Sequence, residues 1–197
     1  MSEPMYMSNA DREPVQNPVL QAVLNVWSQA GGRHYISITG RSMLPLIRDG
    51  DYVLVAHRNT GVKRGDVVVF RYDGKLVAHR VLRIYKGETG YTFITKGDNV
   101  LQFDPPLSAN EIVGKVLVIK RGQRQMSLDT AIWRILGWHI AISTLAWTGV
   151  YTWGRYFIQR LFRIHSIRPA SFLHRCAQFF FLFIRKSVFV FISRWKE

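Results

Sequence analysis

The chain has 197 residues, enough for one domain of ordinary size with an appendage. A hydrophobic content of 48% excludes wholesale disorder, and a single cysteine, Cys176, excludes an internal disulfide and a cysteine-based metal cluster. The formal net charge of +14 indicates an anionic partner, either a membrane surface or nucleic acid.

The N-terminal residues 1–17 are polar and partly acidic, and we predict a flexible tail. They lack the basic and apolar regions of a secretory signal, so the sequence favours the cytoplasmic face over an exported location. The segment PVLQAVLNVWSQAGG follows from Pro18, and its apolar residues recur at helical spacing before Gly31-Gly32. We predict a short amphipathic helix that packs on the domain after it.

From Tyr35 to Ile119 the chain is organised as short segments rich in Val, Ile, Tyr and Phe, separated by turn signals. The segments are HYISITG, DYVLVAH, GDVVVFRY, KLVAHRVLRIY, YTFITKG and IVGKVLVI. The tetrapeptide YDGK is typical of a tight hairpin. These features predict a mainly β fold, an antiparallel twisted or barrel-like sheet that forms one domain, 18–125, with the leading helix.

The stretch GRSMLPLIRDGD places Ser42 in an apolar-flanked turn ahead of a strand. A serine hydroxyl is a weak nucleophile until a base accepts its proton, and an imidazole oriented by a carboxylate suits that task. Candidate partners follow in VAHRV, which contains His79, in TKGDN, which contains Asp98, and in QFDPP, which contains Asp104. Such residues occur in most chains of this length, so spacing alone leaves a structural role open.

Five segments in order strengthen the interpretation: GRSMLP, RDGDYVLV, RGDVVVF, VAHRV and TKGDN. Together they resemble the signal peptidase I family of S24/S26-type serine peptidases, in the version found in the endoplasmic reticulum, archaea and some spore-forming bacteria. The resemblance implies that Ser42 is the nucleophile. It also implies that His79 is the base, at the position where the common bacterial enzymes carry a lysine.

The resemblance leaves two acids that could orient His79. Asp98 matches the acid of the KGD motif, and Asp104 matches a second acid a few residues later. We favour Asp104 as the histidine partner and Asp98 as a structural and electrostatic support. Arg80 and Lys96 are expected to be ion-paired or solvated supports.

The residues beside Ser42 have expected roles in the site. Met43 is expected to lie against the substrate or to form the floor beneath the serine, and Pro45 stiffens the loop by fixing φ. Backbone N–H groups near Ser42, with the Gly40 and Arg41 region, are expected to bind the developing oxyanion. We expect neither a cofactor nor a metal.

Residues 126–197 form a basic, aromatic region that we predict to be helical. Ile135 to Gly154 contains no Lys, Arg, Asp or Glu and just reaches spanning length. RYFIQRLFRIHSIR is typical of a basic helix on anionic lipid, and CAQFFFLFIRKSVFVFIS has Arg185-Lys186 at its centre. A single span, interfacial helices, and a soluble cap or oligomer interface all remain open.

These observations predict a membrane-associated serine endopeptidase that cleaves leader- or signal-type precursor peptides through an acyl-enzyme. The expected partners are a precursor substrate, an anionic membrane bound through residues 126–197, and a protein bound by the C-terminal helices. Two alternatives are a self-cleaving repressor-like peptidase and a non-catalytic membrane- or nucleic-acid-binding module. Nucleic acid is disfavoured because no reader motif is present.

Overall fold

The computed structural model describes residues 32–57, 61–88, 90–100 and 102–162. The elements are β1 (Arg33–Ser37), β2 (Tyr52–His57), β3 (Val67–Tyr72), β4 (Lys75–Gly87), β5 (Gly90–Lys96), β6 (Leu107–Ser108), a 3-10 turn (Ala109–Glu111), β7 (Ile112–Arg121), β8 (Arg124–Ser127) and α1 (Ala131–Phe162). The eight strands form one sheet in the order β1-β2-β7-β3-β4-β5-β6, and β8 pairs with β7.

The predicted mainly β, antiparallel fold is confirmed, because every strand pair in the sheet is antiparallel. The barrel-like alternative is wrong, since among the described strands no pairing joins β1 to β6. Sequence patterns missed β6, which has only two residues, and β8, which is too polar to show an apolar alternation. The predicted tail 1–17 and the helix from Pro18 lie outside the described residues.

The predicted YDGK hairpin joins β3 to β4. Asp73 and Gly74 both have positive φ, 49° and 68°, as a two-residue type I′ turn requires. Tyr72 therefore pairs with Lys75, and the same register places His79 opposite Val68.

The core surrounds β3, which is covered on both faces. Val67 and Val69 belong to one buried cluster, whereas Val68 and Phe70 belong to a second. Consecutive side chains of a strand point to opposite faces, so the unbroken VVVF run indicates burial on both sides. This packing makes β3 and its neighbour β4 a rigid support for the residues that β4 carries.

The helix α1 begins after Thr130, whose hydroxyl oxygen accepts a hydrogen bond from Trp133 N at 3.4 Å. Trp133 is buried and packs on the first cluster with Leu136. Strand β8 lies across the predicted boundary between residues 125 and 126, so the sheet domain continues into the region assigned to the C-terminal part.

The predicted helical character of the C-terminal region holds through Phe162. Across the described ranges, no helix combines the length and apolar content needed to traverse a bilayer. The remainder of the basic amphipathic segment after Phe162, and the segment around Arg185-Lys186, lie outside the described residues.

Candidate active site

The first part of the site is a histidine–carboxylate pair. His79 lies on β4 and is buried, and its Nδ1 is 2.7 Å from Oδ2 of Asp104. Thr95 on β5 donates its hydroxyl to the same oxygen at 2.7 Å, and its carbonyl accepts a hydrogen bond from Asp104 N at 3.0 Å. An ionised carboxylate can only accept, so with a neutral imidazole this contact requires the hydrogen on Nδ1 and leaves the lone pair on Nε2.

The second part is the serine loop, which lies beside Nε2 of that histidine. A Cβ atom placed on Gly97 would lie 2.7 Å from the Ser42 carbonyl oxygen and 2.9 Å from His79 Nε2. The Ser42 carbonyl oxygen and the imidazole therefore both border the space beside Gly97. Only a glycine leaves that space open.

The serine loop is joined to the loop after β5 by hydrogen bonds from one residue. Asn99 donates its backbone N–H to Ser42 O at 2.7 Å and its side-chain amide to Arg41 O at 3.1 Å. Met43 is 2% exposed and lies in the first core cluster, so it forms the floor of the loop. Pro45 follows in the same turn, after a cis Leu44–Pro45 bond.

Asp98 takes a different partner from Asp104. Its two oxygens accept from Arg80, at 2.9 Å from Nε and 2.6 Å from Nη2, and both side chains are buried. The third contact of this guanidinium runs from Nη1 to Gly65 O at 2.7 Å. His79 and Arg80 are consecutive in β4 and face opposite sides of the sheet, and the hydrogen bonds pair Asp104 with His79 and Asp98 with Arg80.

One part of the predicted oxyanion region is already engaged. Gly40 N–H donates to Oδ1 of Asp49 at 2.8 Å, which holds the start of the loop in place. The single hydrogen of Gly40 N is therefore used within the loop in this structure, and an oxyanion role for the backbone N–H groups near Ser42 stays a prediction. Arg41 is exposed, and Ser42 is half-buried.

Sequence reasoning missed the contributions of Thr95, Gly97 and Asn99. Thr95 is fully buried within β5, and a buried hydroxyl needs a hydrogen-bond partner. The alternation of YTFITKG puts Thr95 on the same face as Phe93, so the sequence did indicate a buried polar contact there. Gly97 and Asn99 flank Asp98 in a motif already noted. Their role depends on the distant loop that they contact, which no local pattern reveals.

The remaining histidines of the sheet lie away from this site. His34 and His57 are in ring contact at 5.1 Å on β1 and β2, and strands β7 and β3 separate β2 from β4. Burial lowers the pKa of His57, and the neighbouring His34 lowers it further. In the described part of the chain, no group of three His, Cys, Asp or Glu side chains could hold a metal ion.

The Ser42 loop thus borders the same space as an imidazole whose other nitrogen contacts a carboxylate, and serine, histidine and aspartate are the residue types of a serine hydrolase site. A model of the family described as Peptidase S24-like matches residues 6–117, more than half of the sequence. The chain belongs to this family.

Similar curated proteins agree with this assignment. The signal peptidase complex catalytic subunit SEC11 of Saccharomyces cerevisiae, in strains YJM789, RM11-1a and JAY291, is 38% identical over 93 residues. The match covers 41% of this chain and 56% of each relative, so the chain spans little more than half the length of these proteins. The resemblance to signal-peptidase-type serine peptidases is confirmed.

Proposed function

We propose that the protein is a serine endopeptidase that cleaves leader- or signal-type precursor peptides, with Ser42 as nucleophile, His79 as general base and Asp104 as the residue that orients it. The observation that supports the proposal is that His79 Nδ1 contacts Asp104, while His79 Nε2 and the Ser42 carbonyl oxygen both border the space beside Gly97. The match to a signal peptidase catalytic subunit supports the class of substrate.

In the proposed mechanism, the Ser42 oxygen attacks the scissile carbonyl carbon and its proton passes to His79 Nε2. The Asp104 carboxylate stabilises the imidazolium that forms. The imidazolium then protonates the leaving amine, and the acyl group remains on the serine. A water molecule, deprotonated by the same imidazole, attacks the ester, and the carboxyl product leaves as Ser42 regains its proton.

The oxyanion of each tetrahedral intermediate needs nearby donors. We assign this task to the backbone N–H of Ser42, with the adjacent Arg41 and Met43 region in support. Pro45 restricts the loop, because its ring fixes φ. Since the Asp98 carboxylate is hydrogen-bonded to Arg80, we assign Asp98 to holding the loop that contains Asn99, which binds the Ser42 carbonyl.

A precursor peptide would bind as an extended strand beside the serine loop, through backbone hydrogen bonds, with shallow pockets selecting small side chains. The preference for small residues follows from the family resemblance. The repressor-like alternative is disfavoured because those self-cleaving enzymes use a lysine as base, whereas this chain has a histidine, His79, at that position.

We also propose that the C-terminal region holds the site near a membrane. Within the described residues, α1 exposes Ile132, Ile135, Trp138 and Trp153, with fractional exposures of 60%, 59%, 45% and 70%. Aromatic and aliphatic groups beside basic residues favour an anionic lipid surface. The similar SEC11 proteins are subunits of a complex, which supports a protein partner, and the comparisons give no support to the cytoplasmic face.

The test uses the full chain with a fluorophosphonate reagent, which forms a bond to an activated serine oxygen and releases fluoride. A short peptide with small residues before the cleavage point serves as substrate. We expect wild type and Ser37→Ala, a matched exposed serine on β1, to be labelled and to cleave the peptide. Ser42→Ala should do neither. Equal labelling and cleavage by Ser42→Ala would rule out the assigned nucleophile.

A further inference from the structure

The helix α1 meets the sheet through two glycines that face each other. A Cβ atom placed on Gly137 would lie 2.6 Å from Gly65 O and 3.2 Å from Arg80 Nη1. A Cβ placed on Gly65 would lie 2.5 Å from the Gly137 carbonyl carbon. The first and last of these distances are too short for nonbonded heavy atoms, so the two backbones are in direct contact and neither has room for a side chain.

A continuous series of short contacts leads from this point to the serine loop. Gly65 O accepts from Arg80 Nη1 at 2.7 Å, and the same guanidinium holds both oxygens of Asp98. Asp98 is followed by Asn99, whose N–H donates to Ser42 O at 2.7 Å. The series reaches the nucleophile without passing through His79 or Asp104.

Each link in the series resists displacement. Arg80 is 3% exposed, and its planar guanidinium makes three hydrogen bonds whose directions are fixed with respect to one another. Packed interiors transmit small shifts because they contain few voids to absorb them. A displacement of Gly137 would therefore move Arg80 with it, and Arg80 would move the loop that binds the Ser42 carbonyl.

We propose that Gly137 is a positioning residue for the peptidase site: the close seating of α1 on Gly65 sets the place of Ser42 relative to His79. The inference rests on the proposed function, because positioning affects a rate only if these residues catalyse. It also gives α1 a role beyond membrane attachment, since any displacement of this helix would alter the rate of turnover at Ser42.

The experiment compares Gly137→Ala with Gly149→Ala in the full chain. Both changes replace glycine by alanine inside α1, so they raise helix propensity alike. They differ in surroundings, because among the described residues no heavy atom outside the adjoining helix backbone lies within 4 Å of a Cβ placed at Gly149. We measure kcat and KM on the short peptide, and the hydrogen-exchange rate of the Asn99 amide.

For Gly137→Ala we expect kcat to fall by about tenfold or more, because small misplacements of reacting groups are costly, with KM changed by less than about twofold. The Asn99 amide should exchange faster. Gly149→Ala should match wild type in both measurements. Identical behaviour of the two variants would overturn the inference, and so would a loss in Gly137→Ala confined to KM.

A substitute variant and a second measurement keep the experiment falsifiable. If Gly137→Ala does not fold, Trp133→Phe replaces it, since this change loosens the same helix from the first core cluster one turn before Gly137 and leaves both glycines unchanged. It should lower kcat and speed Asn99 exchange, and unchanged values would overturn the inference. If wild type cleaves no peptide, the proposed function fails, whereas Asn99 exchange in the two glycine variants still decides whether α1 controls the loop.

Discussion

The Nδ1 atom of His79 lies 2.7 Å from Oδ2 of Asp104, although 25 positions separate the two residues in the chain. The pairing of β4 with β5 brings them together, because Asp104 N donates to Thr95 O and thereby returns the chain to the strand beside His79. This contact fixes which imidazole nitrogen carries the hydrogen. The orientation of the His79 imidazole therefore depends on a carboxylate held by a neighbouring strand.

Asp104→Asn should reduce kcat by about 10⁴-fold, the loss known for the equivalent change in a serine protease triad. The amide can donate to Nδ1, which would then carry the lone pair and leave Nε2 protonated and unable to accept the serine proton. Steady-state kinetics on the short peptide measures the loss. Thr95→Val removes only one hydrogen bond to Asp104 and should cost far less, about tenfold or below.

Asp73→Asn is the matched control for that change. Asp73 is exposed in the β3–β4 turn, and asparagine tolerates its positive φ of 49°. Its kcat should equal that of wild type. A kcat for Asp104→Asn within a few-fold of the control would show that Asp104 does not orient a catalytic imidazole.

The pair of Arg80 and Asp98 should contribute strongly to the integrity of the fold. Arg80→Met leaves the Asp98 carboxylate buried without its partner, and we expect the free energy of unfolding to fall by about 3–5 kcal/mol. Urea unfolding followed by tryptophan fluorescence measures it. Asp129→Asn should change stability by at most about 1 kcal/mol, because the Asp129 side chain in its ion pair with Lys115 is 55% exposed. Similar losses in the two variants would contradict a structural role for the buried pair.

The full chain should float with anionic vesicles and should bind neutral vesicles less, with binding that weakens as salt increases. Ile135→Asp should lower the bound fraction by about tenfold or more, because it removes an exposed apolar group from α1 and adds a charge of the same sign as the lipid. Flotation in a density gradient measures the bound fraction.

Tyr72→Asp makes the same change in charge at an exposed residue of β3, so it controls for net charge alone. Its binding should remain close to wild type. If both variants lose binding equally, the effect comes from net charge and the α1 surface is not the contact. If wild type stays unbound on anionic vesicles, the membrane proposal is wrong.

The free energy of unfolding should decrease as the pH falls, and His57 should account for part of this decrease. Burial lowers the pKa of His57 in the folded protein, and His34 lowers it further. As pH falls through the ordinary value of 6.5, the unfolded chain takes up the proton first, so unfolding becomes more favourable. The loss stops growing once the pH is below the folded pKa, and none of it is present well above 6.5.

His57→Phe keeps an aromatic ring and removes this titration. The difference in unfolding free energy between wild type and His57→Phe should therefore shift against wild type as pH falls from about 7.5 to about 5. Urea titrations at several pH values measure it. A difference that stays constant with pH would show that His57 has the same proton affinity in the folded and unfolded chain.

Local sequence patterns were sufficient to predict the positions of most of the strands. Alternation and turn residues located β1 to β5 and β7, and Asp73-Gly74 defined its hairpin because a two-residue turn of this kind requires positive φ at both positions. The motifs also brought forward Ser42, His79 and the two aspartates. These features depend on residues close in the chain, so the sequence by itself determined them.

The tertiary structure alone decided how those residues meet. Both aspartates follow β5, so their order in the chain does not determine their partners. Asp104 pairs with His79 and Asp98 with Arg80, because His79 and Arg80 face opposite sides of the sheet and the chain returns to β5 at Thr95. The open edge of the sheet and the contact of Gly65 with Gly137 are likewise set by packing between distant segments. Such contacts depend on which surfaces fit when the chain is folded, and neither composition nor periodicity encodes that fit locally.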